Sequence, residues 1–538
     1  MKGDQCRNLQ ELTKVVAGHA VYPDAKMLEK RKAFAEYVAG FHNDAEIPLS
    51  VDFEGIVLMS AHQPNLFPYS GVVRKAVLVH AVAEQLRNEL DCPVAELFCF
   101  ADQDFAEERW FQEAQLPSVR SRNGTLSLRL PVASTYNNKL MRVVPKPAND
   151  EVDKMKSDVQ RWATESSDSV MRQAKQLGLP VPEIDLDTRA VFDVIDRAKE
   201  RSVNAADFNA FFFAYLIEEC GYDTAFARFS ECQQVFSDEI AFLLENYGRY
   251  ARLMIGSHKD PATKPPTPIW YHCPCGGKAD VEMTQASDCA LSAKCRACNT
   301  TSEFKGGLRA ALQQMLPNLS LRAEAMLLAF SGIGLTFYVG GHGGAEYLGR
   351  AYKIAESLSM RFPVVSIWRP RDIYGGVGQL DAILELLRMG LAYDLVRNAE
   401  KCDAAIVLSE LDDRLAEIDS ALYRLDDIKR AVATRKLDGF KEKIASVVNM
   451  QNELKTRFER DKIARDRSIV ANTKTTARMI PSIIDYIINI GMRSTARQWS
   501  KALENELSFD ADVPLKTNAP MDTLFRAAKQ FCSDDLFR

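Results

Sequence analysis

The polar residues of this chain that could do chemistry stand just behind short apolar runs. His62-Gln63-Pro64-Asn65 follows the run 56–59, and Ser70-Gly71 then opens a segment of helical spacing that carries Lys75. Asp102 and Asp104 follow the run 94–100. Gly340-Gly-His-Gly-Gly-Ala-Glu-Tyr347 follows 335–339, and Arg369 and Arg371 follow 364–368. Each is a polar turn at the carboxyl end of a strand, the place where open α/β sheets bind ligands. His62 and Asn65, at the two ends of their turn, could hold phosphate or carboxylate oxygens, helped by free N–H groups at the helix start. Gln63 lies between them. Asp102 and Asp104 could share a metal or a substrate amine. Gly343 and Gly344 would let backbone N–H groups approach an anion, with Glu346 and Tyr347 left to bind an amine or a hydroxyl. Either arginine could clamp a carboxylate or phosphate bidentately. Plainer readings stay open: a buried turn with a satisfied histidine, an N-cap with a solvated acidic turn, a tight glycine turn and a surface ion pair. The glycine run does not match GxGxxG, so it gives no dinucleotide signature.

A second cluster is made of sulfur. Twelve cysteines occur, and five of them fall between Cys273 and Cys298. Cys273-Pro-Cys275-Gly-Gly and Cys295-Arg-Ala-Cys298 form two knuckles separated by nineteen residues. Tight turns present paired sulfurs on one side of the backbone, and four thiolates close a tetrahedral zinc site. Such a site has no open position and is expected to be structural. Cys289 could replace one ligand, and His272 is expected not to be one. Lys278, Lys294 and Arg296 leave open a ribbon that grips a nucleic acid or a partner.

These groups need a scaffold. At 538 residues the chain exceeds one compact core, so roughly two to four domains are expected. A net charge of −5 argues against a broad nucleic-acid footprint. No apolar run approaches the roughly 20 residues of a membrane helix, and no signal-peptide hydrophobic region opens the chain. A cytoplasmic protein is the expectation. The runs 56–59 and 94–100, with a helix over 72–89 between them, give the β-α-β order of a parallel sheet. The strands 335–339 and 364–368 resume it. The expected organisation is therefore N-terminal helices and the first half of a Rossmann-like core at 1–150, a helical insertion at 151–263, a zinc-ribbon-like module at 264–305 and the second half of the core at 306–404. Apolar residues stepping by three and four from Leu408 to Val432, and again from Phe440 to Phe458, predict a coiled-coil arm at 405–466, folded back on itself or pairing two subunits as a homodimer. A helical segment closes the chain at 467–538.

The order of these motifs resembles the bacillithiol-biosynthesis cysteine-adding enzyme family (BshC). Its Gly-His-Gln-Pro-Gly-Leu-like turn is similar to Ala61-His-Gln-Pro-Asn-Leu66, and its following lysine matches Lys75. Its Glu-Asp-His-Asp-Phe segment is similar to Ala101-Asp-Gln-Asp-Phe105, its Leu-Arg-Pro element to Leu321-Arg-Ala323, and its Gly-Gly-Pro-x-Glu-x-x-Tyr turn to Gly343-Gly-Ala-Glu-Tyr347 with a shifted tyrosine. The resemblance implies a Rossmann-type core like that of class I aminoacyl-tRNA synthetases, split by an insertion and followed by a coiled coil. It also implies a ligase that joins cysteine to an amino-sugar malate, with His62 and Asn65 at the phosphate-holding turn. Asn65 stands where the family has Gly, Gln103 where it has His and Ala101 where it has Glu.

The resulting expectation is a ligase joining an amino acid, possibly cysteine, or a similar carboxylate to an amine of a small acceptor, linked to ATP or ADP. His62, Asn65 and Lys75 would stabilise phosphates and Asp102 and Asp104 would hold the amine. Gln63, Gly343, Gly344, Glu346, Tyr347, Arg369 and Arg371 would complete the pocket. The alternative is a synthetase-like module that binds tRNA, other RNA or a protein without ligase activity.

Overall fold

The computed structural model describes residues 6–181, 184, 186–254, 265–283, 289–368, 372, 373, 375–388, 472, 476, 479–505, 507–517 and 521–524. The expected coiled-coil arm at 405–466 lies outside the described residues, as do Arg369 and Arg371.

Five parallel strands form the central sheet. They are β1 (Ile56–His62), β2 (Val94–Phe100), β5 (Thr224–Arg228), β11 (Leu335–Val339) and β12 (Val364–Ser366). Seven more strands precede β11 outside this sheet: β3 (Glu113–Pro117) and β4 (Thr125–Arg129) pair as an antiparallel hairpin, and the other five form the cysteine-bearing sheet between residues 269 and 321. The spatial order is β12-β11-β1-β2-β5, and every pairing is parallel. The chain thus grows outward from β1 in one direction, returns, and grows outward in the other. The order reverses between β1 and β11, and a crevice opens there at the carboxyl ends of the strands.

Burial of both faces explains why these strands read as continuous apolar runs. Leu58, Phe98 and Phe337 point into a core made with helices Leu9–Ala17, Ser70–Leu90 and Ala205–Cys220. Val57, Leu97 and Leu335 point the other way, toward helix Ala25–Ala45 through Phe34 and Val38. The charged Glu96 is fully buried within β2, and Arg87 and His80 reach it at 2.8 and 3.1 Å. A buried carboxylate needs such partners.

Two findings adjust the expected organisation. β5 lies in the stretch read as a helical insertion, yet it is the edge strand of the main sheet. Its sequence, Thr-Ala-Phe-Ala-Arg, is too short and mixed to show a strand period. The end of the described chain is also part of the core: helices Ile483–Asn489 and Met492–Glu504 bury Tyr486 and Trp499 against the β1–β2 crossover helix. Among the described residues, no helix is long and apolar enough to cross a membrane.

Candidate functional site

β1 delivers His62 to the mouth of the crevice. Its Nδ1 lies 3.1 Å from the carbonyl of Gln63. A carbonyl can only accept, so Nδ1 carries the proton, and a neutral ring then presents Nε2 as an acceptor. Burial and the Lys75 ammonium push the His62 pKa down to about 3, which keeps the ring neutral at pH 7. Gln63 donates to Asp104 Oδ2 at 2.6 Å.

Lys75 sits on the first turns of helix Ser70–Leu90 and points back to β1, where Nζ donates to the Ala61 carbonyl at 2.9 Å. A Cβ on Gly341 would lie 3.2 Å from the same nitrogen. The ammonium is therefore wedged between the end of β1 and the glycine turn after β11. Burial lowers its pKa to about 7.

The two aspartates have different fates. Asp102 turns inward and accepts from the N–H and hydroxyl of Ser230 at 2.9 and 2.5 Å. Burial raises its pKa against these bonds. It ties the end of β2 to the end of β5 and does not line the cleft. Asp104 does line it, held by Gln63 and, at 3.3 Å, by the Lys278 ammonium. The two carboxylates do not share one ligand, because successive residues past a strand end point in different directions.

On the opposite wall the glycine turn opens helix Ala345–Leu358. Gly341, Gly343, Gly344, Glu346 and Tyr347 all line the cleft. A Cβ on Gly344 would stand 2.7 Å from the Tyr347 hydroxyl, so the missing side chain makes room for the tyrosine. Tyr347 is largely buried and hydrogen-bonded to Tyr338 on β11, and burial raises its pKa. Glu346 is mostly exposed and pairs at 2.5 Å with Arg350, which also holds the buried Glu324 at 2.8 Å.

Asn65 faces elsewhere. It lines a separate recess with Gln115 and Ser482, and both ends of its buried amide lack a protein partner among the described residues. The recess offers about 10 Å³, the room of one water molecule. The turn thus splits its two polar ends between the cleft and this recess.

The fourth wall comes from the cysteine module. Strands β6 (Ile269–His272), β7 (Lys278–Met283), β8 (Cys289–Cys295), β9 (Thr301–Lys305) and β10 (Leu319–Leu321) form an antiparallel sheet in the order β10-β6-β7-β8-β9. Its knuckles bring Cys273 and Cys298 sulfurs to 3.7 Å and Cys275 and Cys295 to 3.6 Å, with all four within 4.8 Å of one another. Sulfurs about 2.3 Å from a central tetrahedral ion stand about 3.8 Å apart, so the four could hold a metal ion. Cys289 opens β8, at the far end of the strand from Cys295. His272 is not part of the cluster: its Nε2 lies 2.9 Å from the Ser320 hydroxyl.

Gly277 makes the knuckle possible. A Cβ there would lie 2.7 Å from the Cys295 sulfur and 3.2 Å from that of Cys275. Gly277→Ala should therefore weaken metal binding about tenfold or more, since overpacking costs about 1–3 kcal/mol. Competition against a chromophoric chelator would read this, and an unchanged affinity would show that the knuckle yields.

The module's sheet also carries cleft residues that sequence reading did not single out as such. Trp270 on β6, Lys278 on β7 and Arg322, just after β10, all line the cleft. The Arg322 guanidinium lies 3.5 Å from the centre of the Trp270 ring and bonds Asp280 at 3.0 Å. Lys278 is buried, which lowers its pKa. Arg296 pairs with Asp280 at 2.7 Å. Of the three basic residues that suggested a nucleic-acid grip, Lys278 is buried inside the protein and Arg296, on the surface, is paired with Asp280. The only signal in the sequence was that Lys278 directly follows a knuckle.

The first knuckle is stitched to the core. Gly276 accepts from Leu140 N–H and Asn138 accepts from Lys278 N–H, at 3.0 and 3.1 Å. The same segment reaches the acidic turn, with Met141 and Arg142 N–H groups on the carbonyls of Asp104 and Asp102. Together the walls enclose a cleft of about 740 Å³, well within the range of small-ligand sites.

No family model and no curated protein matches the chain. Among solved structures, similarity is found to one described as a "putative arginyl t-RNA synthetase from Campylobacter jejuni", at 10% identity, covering 95% of this chain and 98% of that one. Its TM-score of 0.23 is too low for the likeness to bear on fold or function.

Proposed function

We propose that the chain is a carbon–nitrogen ligase, activating the carboxylate of an amino acid with a nucleotide and passing it to an amine of a small acceptor. One observation carries this reading: a buried lysine ammonium stands between the carboxyl end of β1 and the Gly341 turn, at the point where the strand order reverses. Nucleotide phosphates suit that position, near a cation and the N-terminus of helix Ala345–Leu358. An enzyme of this kind stabilises charge that grows on phosphate and carbonyl oxygens as the reaction proceeds. Lys75 is the group placed to do so.

His62 fits a different part of the task. With Nδ1 committed to a carbonyl and the ring held neutral, its Nε2 can accept a hydrogen bond from the acceptor amine and orient it for attack. Asp104, fixed by Gln63 and Lys278, is the carboxylate left to steer that amine. The similarity of the motif order to the cysteine-adding family favours cysteine as the carboxylate donor. The cysteine site, with four thiolates and no open position, suits a structural zinc ion.

Calorimetric titration of ATP tests the phosphate assignment through pH. A bound polyanion raises the Lys75 pKa above its free value of about 7. Binding should therefore be strongest below pH 7, take up protons near neutrality, and weaken as pH rises past 7, by up to about tenfold per unit. Amino-acid-dependent consumption of ATP should accompany it. Absent binding, or an affinity that does not change from pH 6 to 9, overturns the assignment.

A further inference from the structure

Asp102 is turned away from the cleft, and the residue next to it takes a place on the cleft wall. Gln103 is 8% exposed and lines the cleft, yet its Oε1 has no hydrogen-bond partner among the described residues. Gln233 repeats the pattern at 2% exposure: it lines the same cleft and its Oε1 is also unpartnered. The Gln233 Nε2 donates to the Phe229 carbonyl, which fixes the amide so that oxygen is the end left over. Phe229 N–H bonds the Phe100 carbonyl at 2.9 Å, and Ser230 N–H bonds Asp102 at 2.9 Å, so the turns after β2 and β5 are clamped side by side.

Buried carbonyl oxygens without donors are uncommon in proteins, and each calls for a hydrogen from somewhere. Turned toward the cleft, the two oxygens would accept hydrogens from an occupant that brings them. Phe229, Met254 and Met326 supply apolar surface to the same cleft. The Asp104 carboxylate lies on the same cleft, next in sequence to Gln103. Acceptors, apolar surface and nearby negative charge together favour a primary ammonium over an anion or a neutral amide.

We propose that Gln103 and Gln233 form a subsite for the α-ammonium group of a free amino acid. This rests on and deepens the ligase reading, naming how the carboxylate donor is held. The occupant engages the oxygens by small rotations of the two side chains, since neither oxygen is open to bulk water in the ligand-free arrangement.

The test uses the full, metal-loaded chain and calorimetric titration with each of the twenty free L-amino acids, then with the N-acetyl and α-hydroxy counterparts of those that bind. At least one free amino acid should bind without nucleotide, and its N-acetyl and hydroxy counterparts should bind at least about tenfold more weakly. Gln103→Met and Gln233→Met keep side-chain length and remove the oxygen; each should weaken amino-acid binding about tenfold or more while leaving ATP affinity unchanged. If Gln233→Met fails to fold, because the Phe229 carbonyl loses its donor, Gln103→Met and Gln103→Leu carry the test alone. Binding of no free amino acid, equal binding of the blocked counterparts, or full affinity in the Gln103 variants overturns the subsite. Glutamine-dependent amino-acid binding without any ATP binding keeps the subsite and overturns the ligase reading.

Discussion

A Lys75→Met protein should fold normally and lose at least about 100-fold in turnover. The magnitude follows from what one well-placed charge or donor is worth where negative charge develops in a site shielded from water, about 2.7–4 kcal/mol. Methionine matches lysine in length and removes the ammonium. The change removes one bond, from Nζ to the Ala61 carbonyl, and also removes a buried cation that no carboxylate among the described residues pairs with. Losing the hydrogen bond costs about 1 kcal/mol, and the relieved desolvation offsets it. The melting temperature should therefore stay within a few degrees of wild type. Turnover that survives with a normal pH profile would place the phosphate elsewhere. His62→Ala makes a useful companion, because losing a neutral acceptor that orients the amine should affect the rate more than ATP affinity, whereas Lys75→Met should affect both.

The second large effect is expected on metal loss. Cys295 is almost fully buried between the two knuckles, and Cys295→Ser removes one of the four thiolates. Structural thiolate sites contribute heavily to the folding of small modules. Here the module is not independent: β10 joins its sheet, and its apolar face shares a core with the main sheet. The variant should keep its parallel sheet and its helix content while losing amide protection across β6 to β9. Activity should fall at least about tenfold, because Lys278, Trp270 and the turn that supports Asp104 all depend on that sheet. Hydrogen exchange with mass spectrometry reads both halves at once. Equal protection and equal turnover in the metal-free variant would mean that the module does not brace the cleft.

Much of the scaffold can be read from the chain. β1 and β2 are largely apolar because both faces of a parallel sheet are covered, with Glu96 the charged exception, and polar turns stand at their ends because the strands stop where the cleft begins. The cysteine knuckles are legible because metal-binding turns demand fixed spacing. What stayed hidden depends on direction and distance. Asp102 and Asp104 look equivalent in sequence, and only Ser230, more than a hundred residues away, decides that one turns inward. Asn65 sits three residues from His62, yet the turn sends it to a different recess. Trp270 and Lys278 look like ordinary ribbon residues until the ribbon is seen against the acidic turn. Gln103 stands in the acidic segment as a departure from the resembled motif and Gln233 belongs to no motif; that their oxygens lack donors is a property of packing.

The pairing of β1 with β11 has a consequence for how the protein is made. β1 is the central strand, and its partner on one side, β2, is synthesised soon after it. Its partner on the other side begins at Leu335, opposite Val57. At ribosomal rates of about 5–20 residues per second, that edge of β1 waits on the order of tens of seconds for its neighbour. Throughout that interval a half-built sheet presents an apolar strand with unpaired backbone groups, the arrangement most prone to joining the wrong chain. The nascent polypeptide therefore passes through a long window in which one edge of its central strand is open to mispairing, a hazard that the finished fold no longer shows.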